Sequence, residues 1–178
     1  MLLVKILSAL SPLMALLMLG IFIYLFLFIS RFTYIKWKKK ELFDFYEVKR
    51  LAPVLVALVI TLLIFKLMSV TVLAQANKIL KNDKSEIIIN GEHLNGADKS
   101  RLIKNFFFIE SSKYRSGSQP TLEFELFIKG AEGELRFTAK ADSRESDLYW
   151  LYYPEYKFKS TVGFLRTTVI NRTKVNVK

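Results

Sequence analysis

With 178 residues, 52% of them apolar and none of them cysteine, the chain has room for one small domain besides any membrane segments, and it excludes a disulfide-stapled scaffold or a thiolate metal site. The formal net charge is +11, from 27 Lys+Arg and 16 Asp+Glu. Residues 1–74 hold 9 basic and 3 acidic side chains, which leaves 18 and 13 for residues 75–178. The excess is shared between the halves, and nucleic acid is not expected as a partner.

Two apolar runs, 6–29 and 51–74, come first. At a rise of about 1.5 Å per residue, each is long enough to cross a hydrocarbon core of about 30 Å, so residues 1–30 and 51–74 are predicted to be transmembrane helices. The first run has no ionisable side chain between Lys5 and Arg31, and its Pro12 and Gly20 are tolerable in lipid. A cleaved signal peptide is the rival reading. Tyr24, Phe26 and Phe28 are bulky where a cleavage site needs small residues, so the segment is expected to stay as an anchor. The second run has Pro53 in its predicted first turn and a single charge, Lys66. That lysine is expected to snorkel to headgroups, with contact to a partner helix or a lipid phosphate as the sharper alternative.

Between the runs, residues 31–50 carry Arg31, Lys36, Lys38, Lys39, Lys40, Lys49 and Arg50, interleaved with Trp37 and other rings. Such a segment settles at a membrane surface and is drawn to anionic headgroups, which makes the lipid bilayer the first expected partner. Only Lys5 precedes the first run, so the positive-inside bias predicts a cytoplasmic connector with both termini extracytoplasmic. In a bacterium this is a multi-pass inner (plasma) membrane protein with its C-terminal domain in the periplasm. An inverted topology, with the basic domain touching RNA or DNA, is the opposite reading.

The polar, lysine-rich residues 75–85 read as a helical stalk or linker, and 86–178 as an extracytoplasmic domain. Ile87, Ile88 and Ile89 form a strand ended by the turn dipeptide Asn90-Gly91. Asp98 is placed as the cap of a helix burying Leu102, Ile103, Phe106 and Phe107, although 106–109 also suits a short buried strand. After a Ser/Gly/Pro loop, Leu122, Phe124, Leu126 and Ile128 alternate with polar neighbours, turn at 130–133, and return through Leu135, Phe137, Ala139 and Ala141. The other face of this hairpin sets Glu123 and Glu125 against Arg136 and Lys140. Residues 142–147 read as a polar turn rather than a carboxylate pair for acid-base work. A third strand spans 148–153 and is stopped by Pro154, a fourth spans 164–170, and Val175 and Val177 extend or fray it. The predicted fold class is α+β: a two-helix transmembrane hairpin followed by a small antiparallel-sheet domain with one packed helix.

No catalytic constellation is found. His93 is the lone histidine and no second ligand recurs at metal spacing; no nucleophile elbow or phosphate-cradling glycine loop is present. Neither a cofactor nor a metal is expected, and the chain is expected not to be an enzyme. The candidate partner-binding residues are Tyr149, Trp150, Tyr152, Tyr153 and Tyr156, with Phe158 beside them, because alternation cannot bury every ring and Tyr and Trp often carry binding energy. Core or membrane packing is the competing reading, and a glycan-stacking platform a third. The expected function is capture of a protein partner, in its concrete form as an immunity or inhibitor protein against an envelope-acting toxin. The alternative is an accessory, structural subunit of a membrane or cell-envelope complex.

Overall fold

The computed structural model describes residues 1–39, 45–107, 109, 118–156 and 161–172. Two long helices, α1 (Leu2–Lys39) and α2 (Phe45–Leu80), form an antiparallel pair of about 57 and 54 Å at 1.5 Å per residue. Both are long and apolar enough to cross a membrane, with mean hydropathy of 2.7 in an 18-residue window of Leu2–Tyr34 and 2.6 in one of Leu51–Leu80. Their apolar side chains point outward: Leu13 is 61% exposed, Phe26 70% and Leu63 61%. Pro12 lacks the N–H that would bond the Ser8 carbonyl, and the Ser11 hydroxyl donates to that carbonyl instead, at 2.8 Å. The connector between the runs is shorter than its charge pattern implies, because both helices extend into it and leave only 40–44 between them. Pro53 consequently lies inside α2 rather than in its first turn, where it removes one helical hydrogen bond.

α2 continues past residue 74 to Leu80, so the first part of the segment read as a helical stalk or linker is helical. Ala76, Ile79 and Leu80 are buried in the core, in helical register with Val72 at i+4, i+7 and i+8, so the stripe facing the sheet is unbroken. Only residues 81–85 form a turn, closed by the Asn82 N–H donating to the Ile79 carbonyl and the Ser85 N–H to the Asn82 carbonyl.

The domain is a six-stranded antiparallel sheet in the order β2-β1-β3-β4-β5-β6. Its strands are β1 (Glu86–Ile89), β2 (Glu92–His93), β3 (Pro120–Gly130), β4 (Gly133–Asp142), β5 (Leu148–Tyr152) and β6 (Thr161–Arg166), with α3 (Gly96–Phe107) and the short α4 (Val169–Arg172). Asn90 and Gly91, at φ of 50° and 86°, make the two-residue turn that returns β1 as the unforeseen β2. Asn90 also prolongs the β1–β3 ladder: its N–H donates to the Glu125 carbonyl and its Oδ1 accepts from the Glu125 N–H.

α3 starts at Gly96, so Asp98 sits in its first turn rather than at its cap, still favourably placed against the N-terminal end of the helix dipole. Phe106 and Phe107 are helical, which resolves the helix-or-strand ambiguity, but Leu102 and Phe106 are the buried pair and Phe107, expected in the core, is 40% exposed. Phe108 lies outside the described residues, and Ile109 packs against the core. The hairpin β3–β4 follows the predicted alternation from Phe124 on, burying Phe124, Leu126, Ile128, Leu135, Phe137, Ala139 and Ala141 against α2 and α3, but Leu122, expected on the same face, is 58% exposed beside a register irregularity between Pro120 and Glu123. The last strand ends earlier than its apolar pattern implies. The Thr167 N–H donates to the Asp147 carbonyl, and the Thr167 hydroxyl accepts from the Val169 N–H, turning Val169 and Ile170 into a buried helical turn. Val175 and Val177 lie outside the described residues.

Candidate binding surfaces

β5 divides the aromatic candidates by parity. It pairs with β4 as Ala141↔Tyr149, Lys140↔Trp150, Ala139↔Leu151 and Thr138↔Tyr152, so alternate rings go to opposite faces of the sheet. Tyr149 and Tyr153 follow Ala139 and Ala141 into the core, and Tyr156, past Pro154, joins them. Tyr149 meets Phe124 edge-on at 5.8 Å, and Tyr153 lies 5.8 Å from Phe137 and 4.8 Å from Tyr156. The Tyr156 hydroxyl donates to the Met68 carbonyl of α2 at 2.8 Å. Burial, with Asp147 adding repulsion, pushes the Tyr149 phenol up to about 12. Burial and Glu155 do the same for Tyr156, also to about 12, and raise Tyr153 further. Three of the five candidate partner-binding residues are thus neutral core rings. Phe158 lies outside the described residues.

Trp150 and Tyr152 remain on the face away from the helices. There they join Phe127, Arg136, Lys140 and Phe164, which the sequence reading had not grouped with them. Arg136 sits over the Phe127 ring at 5.3 Å, Lys140 over Tyr152 at 5.6 Å, and Trp150 packs edge-on to Phe164 at 5.1 Å. Lys140 pairs with Glu123 at 2.8 Å and Arg136 with Glu125, so the cations are tethered rather than free. The missed signal was cross-strand parity: once Ala139 and Ala141 are assigned inward, Thr138 and Lys140 must carry their β5 partners outward.

The segment 142–147 is a hydrogen-bonded turn. Asp142 is buried, and its carboxylate accepts from the Ser118 hydroxyl, from Trp150 Nε1 at 2.7 Å, and from the backbone N–H of Arg144 at 2.8 Å and Glu145 at 3.1 Å. Arg166 grips both Asp147 oxygens, at 3.0 and 2.9 Å, and Glu145 at 2.6 Å. These carboxylates are held in structural pairs, which fits the turn reading better than acid-base chemistry.

No family model, curated protein or solved structure matches this chain.

At the end of the helix pair away from the domain, Arg31 and Lys49 are exposed. Lys36, Trp37, Lys38 and Lys39 fall in the last turn of α1 and Arg50 in α2; their side chains, and Lys40 altogether, lie outside the described residues. His93 is exposed on β2, with Nδ1 4.0 Å from Glu86 Oε2, and among the described residues no three His, Cys, Asp or Glu side chains converge on a metal position.

The domain is clasped by both helices at their near ends. Lys78 of α2 pairs with Glu132 in the β3–β4 turn at 2.8 Å and holds that carboxyl below its usual range, while Gln75 donates to the Glu132 carbonyl. Met1 packs on Gly133, and Val4 and Leu7 of α1 are buried in the same core. Beside this clasp, a groove of about 740 Å³ runs between α2 and β6, with Phe65, Lys66, Val70 and Leu73 on one wall and Ile109 and Val162 on the other.

Proposed function

We propose that this chain is a non-enzymatic inner-membrane protein, anchored by α1 and α2, whose α+β domain stands outside the cytoplasm and captures a protein partner. The observation that carries the membrane half is the outward exposure of Leu13, Phe26 and Leu63 along helices of spanning length, since contiguous apolar surface of that extent is stable only in lipid or against another protein. The direction follows from charge. Arg31, Lys36, Lys38, Lys39, Lys49 and Arg50 lie toward the helix ends opposite the domain, and the positive-inside bias keeps that end cytoplasmic.

The capture half is supported by the sheet face away from the helices, which no helix among the described residues covers. Phe127, Arg136, Trp150 and Tyr152 combine rings with a fixed guanidinium, a composition common at the centres of protein interfaces. Docking onto α2 gives the domain a rigid mount, so a tethered binder meets its target at raised local concentration. Inhibition of an envelope-acting toxin needs nothing more than such capture.

Two experiments test the proposal. Alkaline extraction of membranes should leave the full chain in the pellet. Full-length chain solubilised in mild detergent should then co-purify a soluble secreted protein, and the triple variant Phe127→Ser, Arg136→Ser, Tyr152→Ser should lose it while keeping its melting midpoint. Recovery of a multi-span partner that survives this triple variant but is lost on changing Phe22 and Phe26 identifies an accessory subunit of an envelope complex instead.

A further inference from the structure

The groove between α2 and β6 is a stripe along one side of a lipid-length helix. Phe65, Lys66, Val70, Leu73 and Asn77 follow one another over about 18 Å of α2, facing Ile109 and Val162 across the gap. Its volume of about 740 Å³ falls within the range of about 300–1,000 Å³ that holds small ligands. The walls from Phe65 to Leu73 are mostly apolar, and they continue into the exposed surface of Leu62, Leu63 and Leu67. Among the described residues Lys66 is the one cation on this lining, and no carboxylate pairs with it.

An ammonium on an apolar wall is costly unless an anion meets it, and a groove continuous with a lipid-facing surface is supplied by the bilayer itself. Resting on the membrane reading above, we infer that this groove holds a phosphate-bearing membrane lipid, with the phosphate at Lys66, its polar head toward Ser69 and Asn77, and its acyl chains passing Phe65 along Leu62 and Leu63 toward the bilayer centre. A lipid satisfies both halves of the site at once: the anion neutralises the lysine, and the rest of the molecule occupies the groove and the apolar surface at its bilayer end. The occupant would also cement the domain to its anchor, since its two walls belong to α2 and to the domain.

The test uses the full-length chain in mild detergent and native mass spectrometry, with phosphatidylglycerol, diacylglycerol and inorganic phosphate as separate probes. One phosphatidylglycerol per chain should be retained, and neither diacylglycerol nor inorganic phosphate at the same concentration. Lys66→Gln should weaken retention about tenfold, as expected for loss of one charge-assisted contact, and Lys66→Arg should preserve it. Val70→Trp, at an exposed position on the groove wall, should expel the lipid without moving the melting midpoint of the delipidated chain. Equal retention of diacylglycerol, unchanged binding by Lys66→Gln or by a folded Val70→Trp, or a groove closed by a second copy of the chain would each overturn the inference. Alkaline extraction separates the two claims: a chain that leaves the membrane refutes the anchor, whereas a chain that stays but retains no lipid refutes only this site.

Discussion

The Tyr156 hydroxyl reaches out of the domain and donates to the Met68 carbonyl of α2 across 2.8 Å, with both residues buried. A ring that composition alone offers as binding surface is thereby a joint between anchor and domain. Tyr156→Phe should cost about 0.5–1.5 kcal/mol, because the ring stays and the Met68 carbonyl keeps its place in the helix. Tyr156→Ala should cost about 3–5 kcal/mol by opening a cavity beside Tyr153. Melting of the detergent-solubilised chain reads both, and equal effects would show that the hydroxyl rather than the ring carries the joint.

The buried tyrosines also set an alkaline limit. The phenols of Tyr149 and Tyr156 are raised from 10 to about 12 in the folded chain, so the unfolded chain releases its phenolic protons first. Stability is therefore fully present below pH 10 and is lost progressively as pH rises toward 12. Phenolate absorbance and loss of circular dichroism should rise together in this window, and Tyr156→Phe should make the loss less steep.

Asp142 anchors the turn that separates β4 from β5. Replacing it with Ala leaves the Trp150 indole, the Ser118 hydroxyl and two backbone N–H groups without their acceptor, at a cost of about 3 kcal/mol or more. Asp142→Asn keeps one acceptor oxygen and should cost about half as much. Chemical denaturation of the two variants checks the order.

The start of α1 is part of the domain core, so it should survive in the mature protein. Val4 and Leu7 are buried there, and Met1 lies 2.9 Å from where a Cβ at Gly133 would stand. Intact-mass measurement should find no signal-peptide cleavage. Gly133→Val, at a φ of +120°, should destabilise by about 1–3 kcal/mol through backbone strain and displacement of Met1.

Several of these features were legible in the residues. The period-2 pattern of Phe124–Ile128 and Leu135–Ala141 fixes one face of the β3–β4 hairpin, and the Asn90-Gly91 dipeptide fixes the turn that follows β1. The division of β5 was not legible because strand parity places a ring only after its register with β4 is known, and rings occupied both parities. Ala76, Ile79 and Leu80 were hidden among Gln, Asn and Lys, although their spacing from Val72 continues the helical stripe. β2 is two residues long, too short for any periodicity. The groove at Lys66 needed two distant segments, 65–77 and 161–162, to be brought together, which no local pattern encodes.

The account turns on which side of a bilayer the domain occupies, and the absence of native cysteine makes that directly measurable. Single-cysteine variants Thr168→Cys, at an exposed domain position, and Lys49→Cys, at the basic end of α2, would be treated with a membrane-impermeant maleimide in intact spheroplasts. Labelling of Thr168→Cys at once, with Lys49→Cys labelled only after permeabilisation, is the predicted result. The reverse pattern would place the domain in the cytoplasm and contradict the proposed capture of an extracytoplasmic partner.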